Sequence, residues 1–243
     1  RRDLPHSPWW PTATLAWVIV QGLFGMFTVT LKLYPAIVTL HLLGALVLLA
    51  LLVLQHESFA DRPLSAALSP GWVAVVLGLV VVQITLGGWV STNYAVLACT
   101  GFPACNGQWW PVMDFQHGFT VLRELGRAGH GGFLPFEALV AIHMTHRLFA
   151  IVAAAALLVL SWRLSRCPDA TARHYGVLLL ALLVMQAATG LSNVVLDWPL
   201  VAALLHTAGA AALVGVLASL WARSRAADAQ TKALAPAAAG RPA

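Results

Sequence analysis

Long apolar runs separated by short polar stretches set the pattern of this chain. Six runs, at 9–31, 36–55, 72–98, 135–162, 175–196 and 200–221, stand out. Each is long enough to cross ~30 Å of hydrocarbon, which takes ~20 helical residues. Inside lipid a backbone amide finds no water, so each run predicts a helix that satisfies its own hydrogen bonds. The fold class expected is an all-α integral membrane protein with six transmembrane helices. Composition agrees: 60% of the 243 residues are hydrophobic and 9% are charged, against roughly 25% charged in a soluble domain.

The polar interruptions within the runs carry the chemistry. The first, third and fifth runs hold no charged residue, and the second and sixth hold one histidine each, His41 and His206. The fourth contains "LVAIHMTHRLFAIV", with His143, His146 and Arg147 in its middle. An arginine at a helix centre costs ~2.5–3.5 kcal/mol on insertion scales, so something must compensate for Arg147.

Charge fixes an orientation. Six spans put both ends of the chain on one side. That side carries Arg1, Arg2, Arg62, Arg163, Arg166, Arg173, Arg223, Arg225, Lys232 and Arg241. The opposite side carries only Lys32, Arg123 and Arg127. Basic residues favour the inner face, so both termini are expected inside. The net charge of +5 comes from residues scattered at the ends of apolar runs. It forms no basic stripe that would suggest a nucleic-acid partner; membrane lipid is the expected surroundings.

Cysteine placement fits that topology. Cys99 and Cys105 of "CTGFPAC" fall in the long outer loop, 97–134, where an oxidising compartment allows a disulfide; Cys167 falls alone on the inner side. The same loop holds "CNGQWWPVMDF", aromatic bulk suited to a lid at the interface. Asp114, Arg123, Glu124 and Arg127 are expected to form its wet face, and the low-complexity stretch 226–243 a disordered tail.

A shift of 165 positions superimposes two hairpins. Gln21 falls on Gln186, Gly25 on Gly190, His41 on His206 and Gly44 on Gly209. This internal repeat divides the chain into 9–55, the last two helices of one four-helix unit, and 72–221, a complete second unit. The expectation is an eight-helix parent of two pseudosymmetric four-helix bundles whose first two helices would precede Arg1. A six-span protein with one duplicated hairpin is the alternative.

Neutral imidazole is a metal ligand. At ~1.5 Å rise per residue, His206 lies ~9 Å, His146 ~16 Å and His41 ~8 Å below the outer ends of their helices. His146 and His206 thus share the outer half of one unit. Bare zinc sites want three or four ligands, whereas a haem iron needs two axial ligands and apolar packing for its faces. Gly87, Gly88, Gly190 and Gly209 offer room for a macrocycle, and Arg147 could pair with a haem propionate. His143, one turn before His146, could be a ligand, a hydrogen-bond partner, a weak catalytic candidate or packing.

The ordered set "QGLFGMFTVTLKLYPAIVTLHLLG", "LGGWVSTNYAVLACTGFPACNGQWWP", "IHMTHR" and "QAATGLSNVVLDWPLVAALLH" resembles the haem A synthases, membrane proteins of cytochrome oxidase assembly. The resemblance implies haem b held between His146 and His206, and haem O held at His41 as substrate. It also implies oxidation of a haem O methyl group to formyl, giving haem A. The second substrate ligand and a catalytic glutamate would lie on helices that this chain does not contain. Further implied are an enzyme supplying haem O, an electron donor, a homo-oligomeric option, and a bacterial cytoplasmic or mitochondrial inner membrane. The rival reading is a bis-histidine electron carrier of the cytochrome b type, without substrate chemistry.

Overall fold

The computed structural model describes residues 9–60, 63–64, 68–129 and 132–239. Its helices are α1 (Trp9–Thr30), α2 (Pro35–Ala60), α3 (Pro70–Thr92), α4 (Phe115–Gly118), α5 (Phe136–Ser165), α6 (Ala170–Val195) and α7 (Leu200–Ala239), with a 3₁₀ turn at Ala95–Leu97. All but α4 are long and apolar enough to cross a membrane, and no strand occurs among the described residues. The protein is an all-α integral membrane protein with six spans.

Prolines mark the helix starts, where a missing amide hydrogen costs nothing. Pro35 opens α2, Pro70 lies in the first turn of α3 and Pro135 caps α5. Asp169 caps α6, accepting from Thr171 N at 2.7 Å. The two outer hairpin turns, α1–α2 and α6–α7, have the same backbone. Each places two consecutive residues at positive φ, Lys32 and Leu33 in one, Asp197 and Trp198 in the other. In each the second of these donates back to a carbonyl five residues earlier, Leu33 to Thr28 at 2.9 Å and Trp198 to Asn193 at 3.0 Å. This is the 6→1 bond that closes a Schellman turn.

Helices α3, α5, α6 and α7 form a ring in which each packs on the next and α7 returns to α3. Helix α5 is therefore diagonal to α7. Helix α2 packs against α3 and α7 from outside the ring, and α1 packs on α2. The half of the ring on the side of the chain ends, the side expected to face inward, is filled by Val73, Val76, Leu157, Leu160, Leu179 and Leu217, none of these more than 3% exposed, and their neighbours. A second apolar cluster, including Trp89, Ala95, Val96 and Ile142, closes the outer end. The histidines fall in the layer between the two.

A polar cluster ties α2 to the ring at the inner end. Glu57 accepts from Ser219 Oγ at 2.6 Å and faces Arg223 Nε at 3.9 Å, while Tyr175 shares a hydrogen bond with Ser219. The second run was expected to end at residue 55; α2 continues to Ala60 and draws Glu57 inward because Arg223 and Ser219 satisfy its carboxylate.

Three further features differ from expectation. Helix α3 stops at Thr92, short of residue 98, because the Asn93 side chain folds back to donate to Trp89 O at 2.8 Å and Tyr94 turns left-handed at φ 55°. Arg123, expected on a wet face, is 3% exposed. It donates to Asn93 Oδ1 and lies over the Trp89 ring, 5.7 Å from the centroid. Burial lowers its pKa from the usual guanidinium value. The stretch 226–239, expected to be disordered, continues α7; its alanines are the strongest helix formers. Residues 240–243, like Arg1, Arg2 and Arg62, lie outside the described residues.

Replacing Glu57 by Gln leaves Arg223 without its ion pair and weakens the docking of α2. A charged hydrogen-bonded partner contributes ~1.5–3 kcal/mol. A thermal unfolding scan in detergent is expected to show a lowered midpoint for Glu57→Gln, and little change for Glu124→Gln in the outer loop.

Candidate functional site

Three histidines are held by one recurring device. On the first helix of each pair stands a glutamine with a glycine four residues on, one helical turn, so both share a face. Gln21 and Gly25 lie on α1, Gln83 and Gly87 on α3, Gln186 and Gly190 on α6. Each glutamine amide donates to the main-chain carbonyl of a histidine on another helix. Gln21 reaches His41 O at 2.9 Å, Gln83 reaches His146 O at 3.2 Å and Gln186 reaches His206 O at 2.9 Å. The imidazole then lies over the glycine. A Cβ built on Gly25 would meet His41 Cε1 at 3.2 Å, on Gly87 His146 Cε1 at 2.9 Å, and on Gly190 His206 Cε1 at 3.2 Å. Any side chain at these positions would push the ring away.

The three copies differ at the ring. The Gln83 amide also contacts His146 Nδ1 at 3.0 Å. His206 Nδ1 meets Thr189 Oγ1 at 3.0 Å. His41 Nδ1 is buried and has no hydrogen-bond partner among the described residues.

His146 and His206 stand on the diagonal helices α5 and α7. Both stay half-buried, although they sit in a layer between two closed apolar clusters. His143 turns elsewhere: it is 3% exposed, and its Nδ1 lies 2.8 Å from Ala95 O. That contact ties α5 to the 3₁₀ turn, which is the hydrogen-bond option among those open in the sequence.

Arg147 finds a set of partners that sequence did not reveal. Its Nη2 donates to Cys99 O at 3.2 Å and Gly101 O at 3.1 Å, and its Nη1 to Ala104 O at 3.4 Å. These carbonyls belong to the loop closed by the Cys99–Cys105 disulfide. Asn106 clips the same loop, accepting from Thr100 N and Thr100 Oγ1 and donating to Ala98 O. The outer loop thus compensates the buried guanidinium. Arg147 Nε, by contrast, is buried with no hydrogen-bond partner among the described residues. Farther along, Trp89 Nε1 donates to Gly118 O at 2.9 Å, which seats α4 on the ring. Asp114 caps α4 by accepting from His117 N at 3.0 Å, and this bond with the His117 side chain lowers its carboxyl pKa.

A haem fits this donor set better than a bare ion. No group of three or more His, Cys, Asp or Glu side chains that could hold a metal ion occurs among the described residues. A tetrapyrrole iron asks for two axial ligands, and two imidazoles face one layer of the ring from opposite helices. Sequence reasoning missed Gln83 and Thr189. Gln83 was legible, since "QITLG" repeats the glutamine–glycine spacing of "QGLFG" and "QAATG"; Thr189 had no such signal.

Comparison with known proteins adds the following. A family model described as cytochrome oxidase assembly protein matches residues 1–218. The chain is 38% identical over 209 residues to a protein of Shewanella oneidensis named heme A synthase, covering 84% of this chain and 62% of that one. To a Caulobacter vibrioides protein of the same name it is 29% identical over 228 residues, covering 89% and 63%. A Maricaulis maris protein, also so named, is 31% identical over 167 residues, covering 68% and 45%. The chain spans less than two thirds of the length of these relatives.

Arg147→Met removes three charge-assisted bonds from the disulfide loop. Loss of one such bond, ~1.5 kcal/mol, already corresponds to more than tenfold in a local opening constant. Hydrogen exchange across residues 100–106 is expected to accelerate at least tenfold, while exchange in α6 stays unchanged.

Proposed function

This chain belongs to the family of cytochrome oxidase assembly proteins, and from that premise we propose that it acts in haem A biosynthesis, as the names of its relatives suggest. The reaction in this reading is oxidation of a haem O methyl group to formyl, with an external oxidant taking the electrons and water or dioxygen supplying the formyl oxygen. The single observation that carries it is the pair of imidazoles, His146 and His206, on diagonal helices of one closed ring.

His146 and His206 would hold haem b, which when bound supplies one-electron redox chemistry. The remaining work falls to the protein's own side chains. Gln83 and Gln186 fix the backbone from which the two ligands project. Gly87 and Gly190 leave the rings space to lie flat against α3 and α6. The apolar cluster around Trp89 and Ile142 excludes water from the outer end, and the disulfide loop held by Arg147 covers it. Three of the five N–H groups of Arg147 serve the loop, and Nε, with no hydrogen-bond partner among the described residues, is one of the two left for a propionate.

His41 would bind the substrate haem O in the first unit. The shared turns and glutamine–glycine–histidine geometry of the two hairpins support an internal repeat, and with it an eight-helix parent. Excess basic residues around the inner ends support an orientation with both termini inside, which sets the histidine layer toward the outer leaflet. An enzyme delivering haem O and a membrane electron donor are the partners this reading requires.

Purified protein is expected to show the absorption spectrum of low-spin bis-histidine haem. His146→Ala and His206→Ala should each abolish that spectrum, and Gly190→Leu, which pushes the His206 ring off its seat, should weaken it. In cells, the full-length protein should yield extractable haem A, and His41→Ala should leave haem O in its place. A colourless wild-type preparation, or haem A unchanged in the His41 variant, would refute the assignment.

A further inference from the structure

The two repeated hairpins agree at glutamine, glycine and histidine and differ at one position beside the ring. On α6, Thr189 precedes Gly190; at the matching place on α1, Phe24 precedes Gly25. The consequence is visible at the imidazoles. His206 Nδ1 lies 3.0 Å from Thr189 Oγ1, whereas His41 Nδ1 is buried and has no partner among the described residues.

Thr189 has one hydroxyl hydrogen and three claims on it, the weakest from Gln186 O at 3.3 Å. Its oxygen lies 2.7 Å from Met185 O, one turn back on the same helix, and 3.0 Å from the ring nitrogen. A threonine within a helix commonly donates to the i−4 carbonyl. With its hydrogen committed to Met185 O, the hydroxyl can only accept from the ring, so His206 carries its proton on Nδ1. The lone pair is then on Nε2, free for a metal. A hydrogen bond to the far ring nitrogen fixes the tautomer and orientation of a ligating histidine and raises its basicity. Phe24 can do none of this for His41.

We infer that Thr189 is the positioning residue that locks His206 as a permanent axial ligand, and that Phe24, by leaving His41 unlocked, makes the first-unit histidine an exchangeable ligand. This deepens the proposed function and rests on its reading that both histidines bind haem iron. The difference suits a resident group in one unit and a substrate that must leave the other. A single side chain beside the imidazole sets retention against release.

The test uses the purified full-length, haem-loaded protein, with apomyoglobin as haem acceptor. Thr189→Val keeps the side-chain volume and removes the acceptor. It is expected to speed haem loss from the second unit by about ten- to hundredfold. It should also alter the electron paramagnetic resonance g-values of the bis-histidine signal. Thr189→Ser should restore both readouts, which a packing role for the threonine methyl group would not allow. Phe24→Thr is expected to slow haem O release from the first unit by a comparable factor. Unchanged haem loss and g-values in Thr189→Val, together with a spectrum abolished by His206→Ala, would overturn the lock while leaving haem ligation standing. A spectrum that survives His206→Ala would overturn both.

Discussion

A carboxamide that crosses from one helix to the carbonyl of a histidine on another is the interaction on which the rest of this membrane domain depends. In hydrocarbon no water relieves an unpaired amide, so a glutamine inside a span is tolerated only where its neighbours complete it. Here the amide nitrogens of Gln21, Gln83 and Gln186 each meet that demand on a histidine carbonyl, whereas Gln83 Oε1 stays buried with no hydrogen-bond partner among the described residues. The requirement fixes the relative height of two helices, and the glycine one turn along then becomes the floor on which the imidazole rests. Polar residues that would otherwise destabilise the spans thus set their register and aim a ligand.

Around that device the ring divides into layers with separate roles. Packed aliphatic side chains fill the inner half, and the Glu57–Ser219–Arg223 cluster moors the α1–α2 hairpin there. The outer end is closed by Trp89, Ile142 and the disulfide loop. Between them the imidazoles of α5 and α7 stand on opposite sides of the axis, which two helices in direct contact would not allow. Arg147 links layers: it follows the candidate ligand His146 in sequence, yet its guanidinium holds the loop carbonyls. Loop and ligand are therefore mechanically joined.

The spans and the candidate ligands were legible in sequence because both follow from solvent. Twenty apolar residues have one stable conformation in lipid, and a histidine among them stands out. The Cys99–Cys105 disulfide was also legible, from its spacing and compartment. What sequence could not give was pairing at a distance. Asn93 ends α3 early by bonding its own helix, and the same side chain accepts from Arg123, thirty positions away, drawing that arginine out of water. Glu57 lies just past the run read as ending at residue 55, and its partner Ser219 stands 162 positions on. The partners of Arg147 were equally hidden, since main-chain carbonyls carry no sequence signature. His143 and His146 look equivalent in "IHMTHR", and only the position of Ala95 O separates a structural histidine from a candidate ligand.

The account stands or falls on His146 and His206 being the two axial ligands of one haem. Near-infrared magnetic circular dichroism reads axial ligand identity directly from the energy of the ligand-to-iron charge-transfer band. The wild-type protein should show the bis-imidazole band, and His206→Met should move it to the position characteristic of a histidine–methionine pair. A band that stays in place in that variant would mean that the iron is bound elsewhere, and would contradict the account.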